Sequence, residues 1–371
     1  MTAIELETMP GNRGHPPTRR IRSRRRIRRV LVVGGAGYVG SVLVRRLLDR
    51  GYQVTVMDAL LYGDEGISDL YGNPALDVVI GDLRNLEAVV SAVRGTDAVV
   101  HLGALVGDPA CELDEDLAVE VNLEATRTLA AIARGLGIRR FVFASTCSVY
   151  GATDELLDES SHLAPVSLYA RTKMESERLL LSMNGGTFAP VILRFGTFFG
   201  ASPRARFDLV VNLLAAKAVR EGELTVFGGD QWRPFLHVED GAEAIIACVE
   251  APEPSVAYQV FNVGADEQNH TMAEMGQIVA SAVPGARLRI EPPNAVEANY
   301  RVSFERIRTN LGFLARRTIA DGVAEIRDDI LSGRVEDYTV ARYSNVRALV
   351  EGETGQVVAP EAETLATSGA A

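Results

Sequence analysis

A glycine-rich turn between an apolar run and a helical pattern restricts the possible folds of this chain more than any other feature. The run Arg29–Val33 has the composition of a strand, and Gly34, Gly37 and Gly40 follow it directly. A helical period then covers Tyr38–Arg50 and ends at a glycine. Glycines at these spacings let backbone N–H groups and the helix N-terminus approach a pyrophosphate. The segment therefore predicts a βα unit that binds a dinucleotide.

Apolar runs alternate with helical periods along the first half of the chain. Most runs are continuously apolar, as in parallel strands that helices cover on both faces. A long helical period also covers Leu113–Leu136. The predicted strands are Val30–Val33, Gln53–Asp58, Asp77–Ile80, Ala98–Leu102, Arg140–Ala144 and Val191–Phe195. This order predicts an α/β fold with a Rossmann-type doubly wound parallel sheet. After Gly200 the predicted elements are shorter and prolines are frequent, which indicates a smaller C-terminal α/β substrate lobe.

The same patterns divide the chain into four parts. Residues 1–28 are rich in arginine and predict a disordered tail, because they bury too little apolar surface to offset their ordering entropy. An arm for an anionic surface is the alternative interpretation. Residues 29–195 form the predicted dinucleotide-binding domain, and residues 196–336 form a substrate lobe partly interleaved with it. The polar residues 337–371 predict a flexible C-terminal tail.

Composition and charge disfavour several classes of protein. The net charge of −11 argues against nucleic acid as a partner, since phosphate binding requires a positive surface. Cys111, Cys147 and Cys248 are widely spaced, give neither a disulfide framework nor a zinc pattern, and fit a reducing cytosol. No apolar run approaches the roughly 20 residues that span a bilayer, and no secretory signal is visible. We expect a cytoplasmic protein without a metal or membrane partner.

Asp58 closes the second predicted strand, at the spacing of a carboxylate that accepts hydrogen bonds from the adenosine ribose. A carboxylate at this place repels a 2′-phosphate, and no arginine follows it closely in the sequence. The sequence therefore favours NAD over NADP as the cofactor. A simple turn-capping role for Asp58 is the alternative.

Tyr169 and Lys173 are four residues apart on a predicted helix, so their side chains lie on one face. A phenol titrates near 10 in water, so acid/base chemistry at neutral pH requires stabilisation of the phenolate by roughly 4 kcal/mol. A nearby ammonium group favours the phenolate. The pair is therefore a candidate acid/base for the oxidation of an alcohol, and ordinary surface packing is the alternative.

Several motifs occur together in a fixed order along the chain. The chain resembles the extended short-chain dehydrogenase/reductase family, the nucleotide-sugar epimerases and dehydratases, from about Arg29 to Gly333. The matching segments are the glycine turn, Asp58, Gly81–Leu83, His101–Ala104, Asn122, Ser145–Gly151, the Tyr169/Lys173 pair, Leu193–Phe195 and Arg233–Asp240.

The resemblance implies the cofactor site. Asp82 and Leu83 would meet the adenine, and Lys173 would hydrogen-bond the nicotinamide ribose. Tyr169 would be the acid/base, with its pKa lowered by Lys173 and the positive nicotinamide ring. The implied cofactor residues are Gly34, Gly37, Tyr38, Val39, Gly40, Asp58, Asp82, Leu83, Leu102, Gly103, Ala104, Asn122, Ser145, Tyr169 and Lys173.

The resemblance also implies substrate contacts. Thr146 stands where the family has its catalytic serine or threonine, and would hydrogen-bond the substrate oxygen. Arg233 matches the family's diphosphate-binding arginine, and Arg301 is a second candidate. Thr197 stands where many relatives have an asparagine that faces the sugar nucleotide.

The residues after Thr146 separate subfamilies. The 4,6-dehydratases resemble one another in having Asp-Glu there, because elimination of water needs an extra acid and base. This chain has Cys147 and Ser148, which disfavours elimination. Cys147 is interpreted as a small packed residue, with a proton shuttle as the alternative. His101 is interpreted as structural, because no metal-binding pattern surrounds it.

These observations predict an NAD-dependent nucleotide-sugar epimerase, most simply a 4-epimerase, that acts through a transient keto-sugar. The alternatives are a nucleotide-sugar 4-ketoreductase that uses NAD(P)H and a non-catalytic regulator that senses the dinucleotide. The family resemblance also implies a homodimer, paired through helices Leu113–Leu136 and Tyr169–Met183.

Overall fold

The computed structural model describes residues 26–183, 188–293 and 299–351. Its strands are β1 (Arg29–Val33), β2 (Gln53–Asp58), β3 (Leu76–Ile80), β4 (Ala98–His101), β5 (Arg140–Thr146), β6 (Leu156–Leu157), β7 (Ala189–Phe195), β8 (Thr197–Phe199), β9 (Glu223–Phe227), β10 (Trp232–His237), β11 (Val260–Val263), β12 (Asn269–Thr271), β13 (Arg287–Glu291) and β14 (Arg301–Val302).

The helices lie between these strands, with short 3₁₀ turns at Ser68–Leu70, Cys147–Tyr150, Asp266–Gln268 and Ala341–Tyr343. They are α1 (Tyr38–Asp49), α2 (Leu86–Val93), α3 (Asp108–Glu112), α4 (Glu115–Val119), α5 (Ala125–Gly135), α6 (Leu168–Ser182), α7 (Val210–Glu221), α8 (Val238–Glu250), α9 (Glu253–Val256), α10 (Met272–Ala282), α11 (Glu305–Leu311), α12 (Ile319–Leu331) and α13 (Asn345–Glu351). None of the helices within the described ranges is both long and apolar enough to span a membrane.

A seven-stranded sheet forms the centre of the molecule, in the order β11-β7-β5-β4-β1-β2-β3. All of its neighbouring strands are parallel. The chain builds outward from β1 through β2 to β3, and then returns to place β4 on the other side of β1. Ligands of such sheets bind at the carboxyl ends of the strands where the order reverses. The Rossmann-type doubly wound sheet predicted from the sequence is confirmed.

The two parts of the chain share this sheet. β11 comes from the second part and pairs with β7, with Val263 opposite Phe195. Helix α8, which also belongs to the second part of the chain, packs against α1 of the first part. The strand β11 was not among the predicted strands, because the four residues of this run give too short a pattern to distinguish from a loop.

The helix predicted over Leu113–Leu136 extends from Glu115 to Gly135 and contains a π-helical turn. Asp114 caps the start of α4, where its carboxylate accepts a hydrogen bond from the Leu117 N–H at 2.9 Å. A π-helical turn at Glu120–Glu124 then leads into α5. The turn places Asn122 in the interior, where it is 1% exposed. The predicted helix is therefore confirmed apart from its ends and the π-helical turn, which the sequence pattern did not indicate.

The second lobe covers one end of the sheet. Its β12-β10-β8 sheet and the β9/β13 pair are surrounded by α7, α10 and α12. Apolar residues of these elements form a separate core that includes Phe199, Val211, Phe235, Met275 and Val323. The lobe is therefore an α/β unit smaller than the first domain, as predicted.

The ends of the chain partly correct the predicted tails. Residues 1–25 and 352–371 lie outside the described residues. The Arg28 N–H donates to the Asp97 carboxylate at 2.9 Å, so the ordered chain begins before Arg29. Residues 337–351 are also ordered and include α13. The prediction of a flexible tail from residue 337 is therefore wrong for residues 337–351. The Tyr343 carbonyl accepts a hydrogen bond from the Phe207 N–H, and the Asn345 N–H donates to the Asp208 carboxylate, so this stretch is attached to the second lobe.

Candidate active site

The glycine turn after β1 is closely packed against neighbouring backbone. Gly34 has a φ of +79°, and a Cβ there would lie 2.7 Å from the Gly103 nitrogen. A Cβ on Gly40 would lie 2.1 Å from the Gly34 carbonyl oxygen. Only glycine fits these two positions, since an added side chain would have to move backbone. The turn therefore brings the N-terminus of α1 to the surface of the cavity that lies at the carboxyl ends of the strands.

Asp58 lies at the end of β2 and lines this cavity. Its two carboxylate oxygens accept hydrogen bonds from the backbone N–H groups of Ala36 and Leu60, each at 2.9 Å. Burial raises the pKa of Asp58, although both hydrogen bonds act in the opposite direction. Asp58 therefore does cap the turn, and its predicted contact with the adenosine ribose stays a prediction.

The predicted residues after β3 and β4 also reach the cavity. Asp82, Leu83, Leu102, Gly103 and Ala104 all line it. Burial opposes the ionisation of Asp82, but the hydrogen bonds from its neighbour Arg84 outweigh burial and lower its pKa. The Arg84 Nη2 lies 2.8 Å from the Asp82 carboxylate. The structure thus brings together segments that are distant in sequence, as the doubly wound order requires.

The predicted catalytic residues lie in the same cavity. Tyr169 and Lys173 are on α6, which begins where the Ser167 hydroxyl accepts a hydrogen bond from the Ala170 N–H at 3.2 Å. The Lys173 Nζ lies 5.9 Å from the centroid of the Tyr169 ring. Thr146, at the end of β5, faces the same space. Its hydroxyl oxygen accepts a hydrogen bond from the Ser148 N–H at 3.1 Å.

Burial shifts the ionisation of this group. Burial raises the pKa of the Tyr169 phenol above its ordinary value. Burial also lowers the pKa of Lys173 to about 8. The lysine ammonium donates to the Ala144 carbonyl at 2.9 Å instead of to the phenol. In the protein alone, desolvation therefore outweighs the effect of Lys173, whose ammonium is directed at the end of β5. The predicted lowering of the Tyr169 pKa by Lys173 and the nicotinamide ring together stays a prediction.

Two predicted cofactor residues have other partners. The Asn122 carboxamide accepts from the Leu105 N–H at 2.8 Å and donates to the Leu105 carbonyl at 3.0 Å. Asn122 is not among the described residues that line the cavity, so its predicted direct contact is corrected to a supporting role. It fixes the loop after β4. Ser145 does line the cavity, and its hydroxyl donates to the buried Glu177, which forms an ion pair with Arg194 at 2.7 Å.

The predicted substrate residues divide into two groups. Thr197 lines the cavity. Arg233 and Arg301 are not among the described residues that line the cavity. The Arg233 guanidinium lies 5.4 Å from the ring centroid of Tyr300, which does line it. Arg301 donates to the Asp154 carbonyl at 3.1 Å and faces the Trp232 ring. Contacts of these two arginines with a diphosphate stay predictions.

Cys147 and His101 are structural, as predicted. Cys147 is fully buried, and its thiol donates to the Arg194 carbonyl at 3.3 Å. Burial raises the pKa of this thiol. The His101 Nε2 is 2.9 Å from the Thr126 hydroxyl, and burial lowers the pKa of the imidazole to about 3. Neither residue is among the described residues that line the cavity.

Sequence reasoning missed several polar residues of the cavity, which are Tyr62, Arg204, Arg206, Asp208, Tyr300 and Asn345. The Arg204 guanidinium lies 4.5 Å from the Tyr62 ring centroid, and its Nε and Nη2 are buried without a hydrogen-bond partner among the described residues. Burial lowers the pKa of Arg204 to about 10. The charges of Arg204 and Asp58 act on each other, although 146 positions separate them in the chain. A buried cation with two donor nitrogens that lack hydrogen-bond partners among the described residues fits the phosphates of a dinucleotide.

Comparison with known proteins agrees with this arrangement. A model of the NAD dependent epimerase/dehydratase family matches residues 30–264. The dTDP-glucose 4,6-dehydratase of Streptomyces niveus is 30% identical over 318 residues, which cover 80% of this chain and 91% of that protein. The UDP-glucose 4-epimerase of Rhizobium meliloti (strain 1021) is 33% identical over 249 residues, which cover 60% of this chain and 72% of that protein. The solved structure of MoeE5 in complex with UDP-glucuronic acid and NAD has a TM-score of 0.72 at 28% identity, over 82% of this chain and 99% of that chain.

Proposed function

Because this chain belongs to the NAD dependent epimerase/dehydratase family, we propose that it is a nucleotide-sugar 4-epimerase that acts through a transient keto-sugar. NAD is the cofactor of this family, and relatives are solved with it bound. The observation that carries the proposal is the joint placement of Thr146, Tyr169 and Lys173 in the cavity that the glycine turn lines. The regulator alternative is not supported, because the family and the relatives are enzymes.

The residues of the cavity have separate roles in this reaction. Tyr169 accepts the proton of a sugar hydroxyl and later returns it to the ketone oxygen. Thr146 orients that oxygen through a hydrogen bond from its hydroxyl. Lys173 places a positive charge near both the phenol and the cofactor site. When bound, NAD would supply the acceptor for the sugar hydride and a positive charge that favours ionisation of the buried Tyr169 phenol.

The surroundings of Thr146 argue against elimination of water. The next residue, Cys147, is fully buried and lies away from the cavity. Ser148 lines the cavity but offers only a hydroxyl group. The carboxylates that line the described part of the cavity are Asp58, Asp82 and Asp208. Asp58 is the last residue of β2, and Asp82 follows β3. Asp208 is held by Arg206 at 2.9 Å. None adjoins Thr146 in the chain, so no acid/base pair of the dehydratase kind follows it.

The nucleotide-sugar class of substrate is supported by the relatives. MoeE5 is solved with UDP-glucuronic acid, and relatives from Streptomyces niveus and Rhizobium meliloti bear the names of enzymes for dTDP-glucose and UDP-glucose. The 4-ketoreductase alternative would use the same side chains once per turnover. The fate of the cofactor during turnover distinguishes these two reactions.

The substitution Tyr169→Phe tests the proposed acid/base. It keeps the aromatic ring and removes the ionisable hydroxyl, so turnover should fall by roughly 10²–10⁴-fold, while NAD binding survives. Tyr71→Phe is the matched control, because Tyr71 is 42% exposed and outside the cavity. Turnover of Tyr169→Phe within a few-fold of the parent would show that another group transfers the proton.

A further inference from the structure

The ordered C-terminal segment reaches the active-site cavity. After the 3₁₀ turn at Ala341–Tyr343, α13 contributes Asn345, Val346 and Leu349 to the cavity lining. Asn345 and Leu349 are four residues apart and therefore share one face of the helix. These residues lie beyond the region 30–264 that the family model matches. The chain thus closes one side of its cavity with a segment outside the matched region.

The segment is attached to the second lobe. The Asn345 N–H donates to the Asp208 carboxylate at 2.9 Å, and the Phe207 N–H donates to the Tyr343 carbonyl at 2.8 Å. The Phe207 ring contacts the Tyr343 ring edge-to-face, with 5.5 Å between centroids. Arg206 holds the same aspartate through two hydrogen bonds of 2.9 Å. The start of α13 is therefore fixed at one edge of the cavity.

The other end of the helix contacts the first domain beside the catalytic residues. Leu349 packs against a small buried cluster of Leu105, Cys111 and Ala118, and Tyr169 packs against the same cluster. The helix also contacts α3. Leu349 therefore lies near Tyr169, and Asn345 lies one helical turn before Leu349 on the same face. The strands β2 and β3, which carry Asp58 and precede Asp82, are at the other side of the sheet.

One polar atom of this helix is buried in the cavity wall without a partner. Asn345 is 4% exposed, and its Oδ1 has no hydrogen-bond partner among the described residues. Leaving a buried carboxamide oxygen unpaired is unfavourable, and most buried polar groups in proteins are hydrogen-bonded. The atom can only accept, so it requires a donor such as a hydroxyl group.

We propose that Asn345 is a specificity-determining residue, whose carboxamide oxygen accepts a hydrogen bond from a hydroxyl of the sugar held against Tyr169. This inference rests on the proposed function, since it takes the sugar of a nucleotide sugar as the group at the Tyr169 end. Asn345 favours a sugar that carries a hydroxyl at the facing carbon over the corresponding deoxy sugar, because the deoxy sugar leaves the oxygen unpaired.

Binding measurements with Asn345→Leu test the proposal. Leucine has a similar volume and no acceptor, and the backbone hydrogen bond to Asp208 is retained. Calorimetry with UDP-glucose, dTDP-glucose, UDP and dTDP, on NAD-loaded protein, separates the sugar contribution from the nucleotide contribution. We expect Asn345→Leu to bind the preferred nucleotide sugar about tenfold more weakly and to bind the nucleoside diphosphate as the parent does. The control Asn310→Leu makes the same exchange at an exposed position of α11 and should change neither.

The possible outcomes are distinct. An equal loss of affinity for the nucleotide sugar and the diphosphate would refute a sugar contact, and so would unchanged affinity for both. Analogues of the preferred nucleotide sugar that lack one hydroxyl each give an independent readout. The parent protein should bind one of these analogues about tenfold more weakly than it binds the complete nucleotide sugar. Asn345→Leu should bind that analogue and the complete nucleotide sugar equally well. If the parent chain binds no nucleotide sugar, the proposed function fails as well. If it binds one and Asn345→Leu is unaffected, only the inference about Asn345 fails.

Discussion

Removal of the Lys173 ammonium should change the pH dependence of folding in a defined direction. Lys173 is 3% exposed, and burial lowers its pKa from 10.5 to about 8. A difference of this size corresponds to about 3 kcal/mol between the protonation states. At neutral pH the buried ammonium is fully protonated in the folded and the unfolded chain, so the folded state bears this penalty in full.

The penalty should disappear as the pH rises. Between about pH 8 and about pH 10.5, the folded chain releases the Lys173 proton while the unfolded chain still binds it, and stability rises with pH wherever the unfolded state binds more protons. The free energy of unfolding of the parent, relative to that of Lys173→Met, should therefore increase by about 3 kcal/mol over this interval. Groups on which the Lys173 charge does not act titrate alike in both proteins and cancel in the difference.

Urea denaturation at a series of pH values from 7 to about 10.5 measures this difference, provided that the m-values of the two proteins agree. Lys217→Met, on α7 and outside the cavity, is the matched control for loss of a lysine side chain. Turnover of the parent should move the opposite way and decline above about pH 8, as the charge on Lys173 is lost. A stability difference between the parent and Lys173→Met that is constant or falls with pH would refute the buried, desolvated state of Lys173.

Three further predictions concern the cofactor site and assembly. Gly40→Ala should weaken NAD binding and lower stability, because its Cβ would lie 2.1 Å from the Gly34 carbonyl oxygen. Gly135→Ala is the control and should change neither property, because a Cβ there meets open space. Equal NAD affinity of the two variants would show that the turn tolerates a side chain at Gly40. Arg204→Met should weaken NAD binding more than it lowers the free energy of unfolding measured without NAD, since Nε and Nη2 of the guanidinium are buried without hydrogen-bond partners among the described residues; a large loss of stability with unchanged NAD binding would show that Arg204 acts through its contact with the Tyr62 ring. Sedimentation at micromolar concentration should show the predicted homodimer, and a monomer would refute pairing through α5 and α6.

The glycine turn and the central sheet could be predicted because their signals are local. A continuous apolar run followed by Gly34, Gly37 and Gly40 determines the strand, the turn and the start of α1 together. The spacing of Tyr169 and Lys173 likewise places both side chains on one helix face, and this placement does not depend on the rest of the fold. These features depend on short stretches of chain, and the structure confirms the elements that contain them.

The features that sequence reasoning missed depend on contacts between distant segments. The composition of residues 337–351 indicates a tail, but Asp208 and Phe207 supply partners for their backbone. Arg204 reaches the neighbourhood of Asp58 only because the second lobe folds over the glycine turn. The raised pKa of Tyr169 follows from burial, which a pair of residues on a helix does not reveal. Burial and long-range contact therefore decide the electrostatics of this site.

The proposed 4-epimerase both oxidises and re-reduces the sugar during one active-site visit. The direct measurement is conversion of a nucleotide sugar, such as UDP-glucose, to its 4-epimer with NAD present only in catalytic amount and no external reductant. An epimerase regenerates its NAD in each cycle, so we expect conversion to an equilibrium mixture of the two epimers under these conditions. No conversion of any nucleotide sugar under these conditions, together with stoichiometric oxidation of NADH on a 4-keto nucleotide sugar, would exclude the epimerase and assign the chain to the 4-ketoreductases.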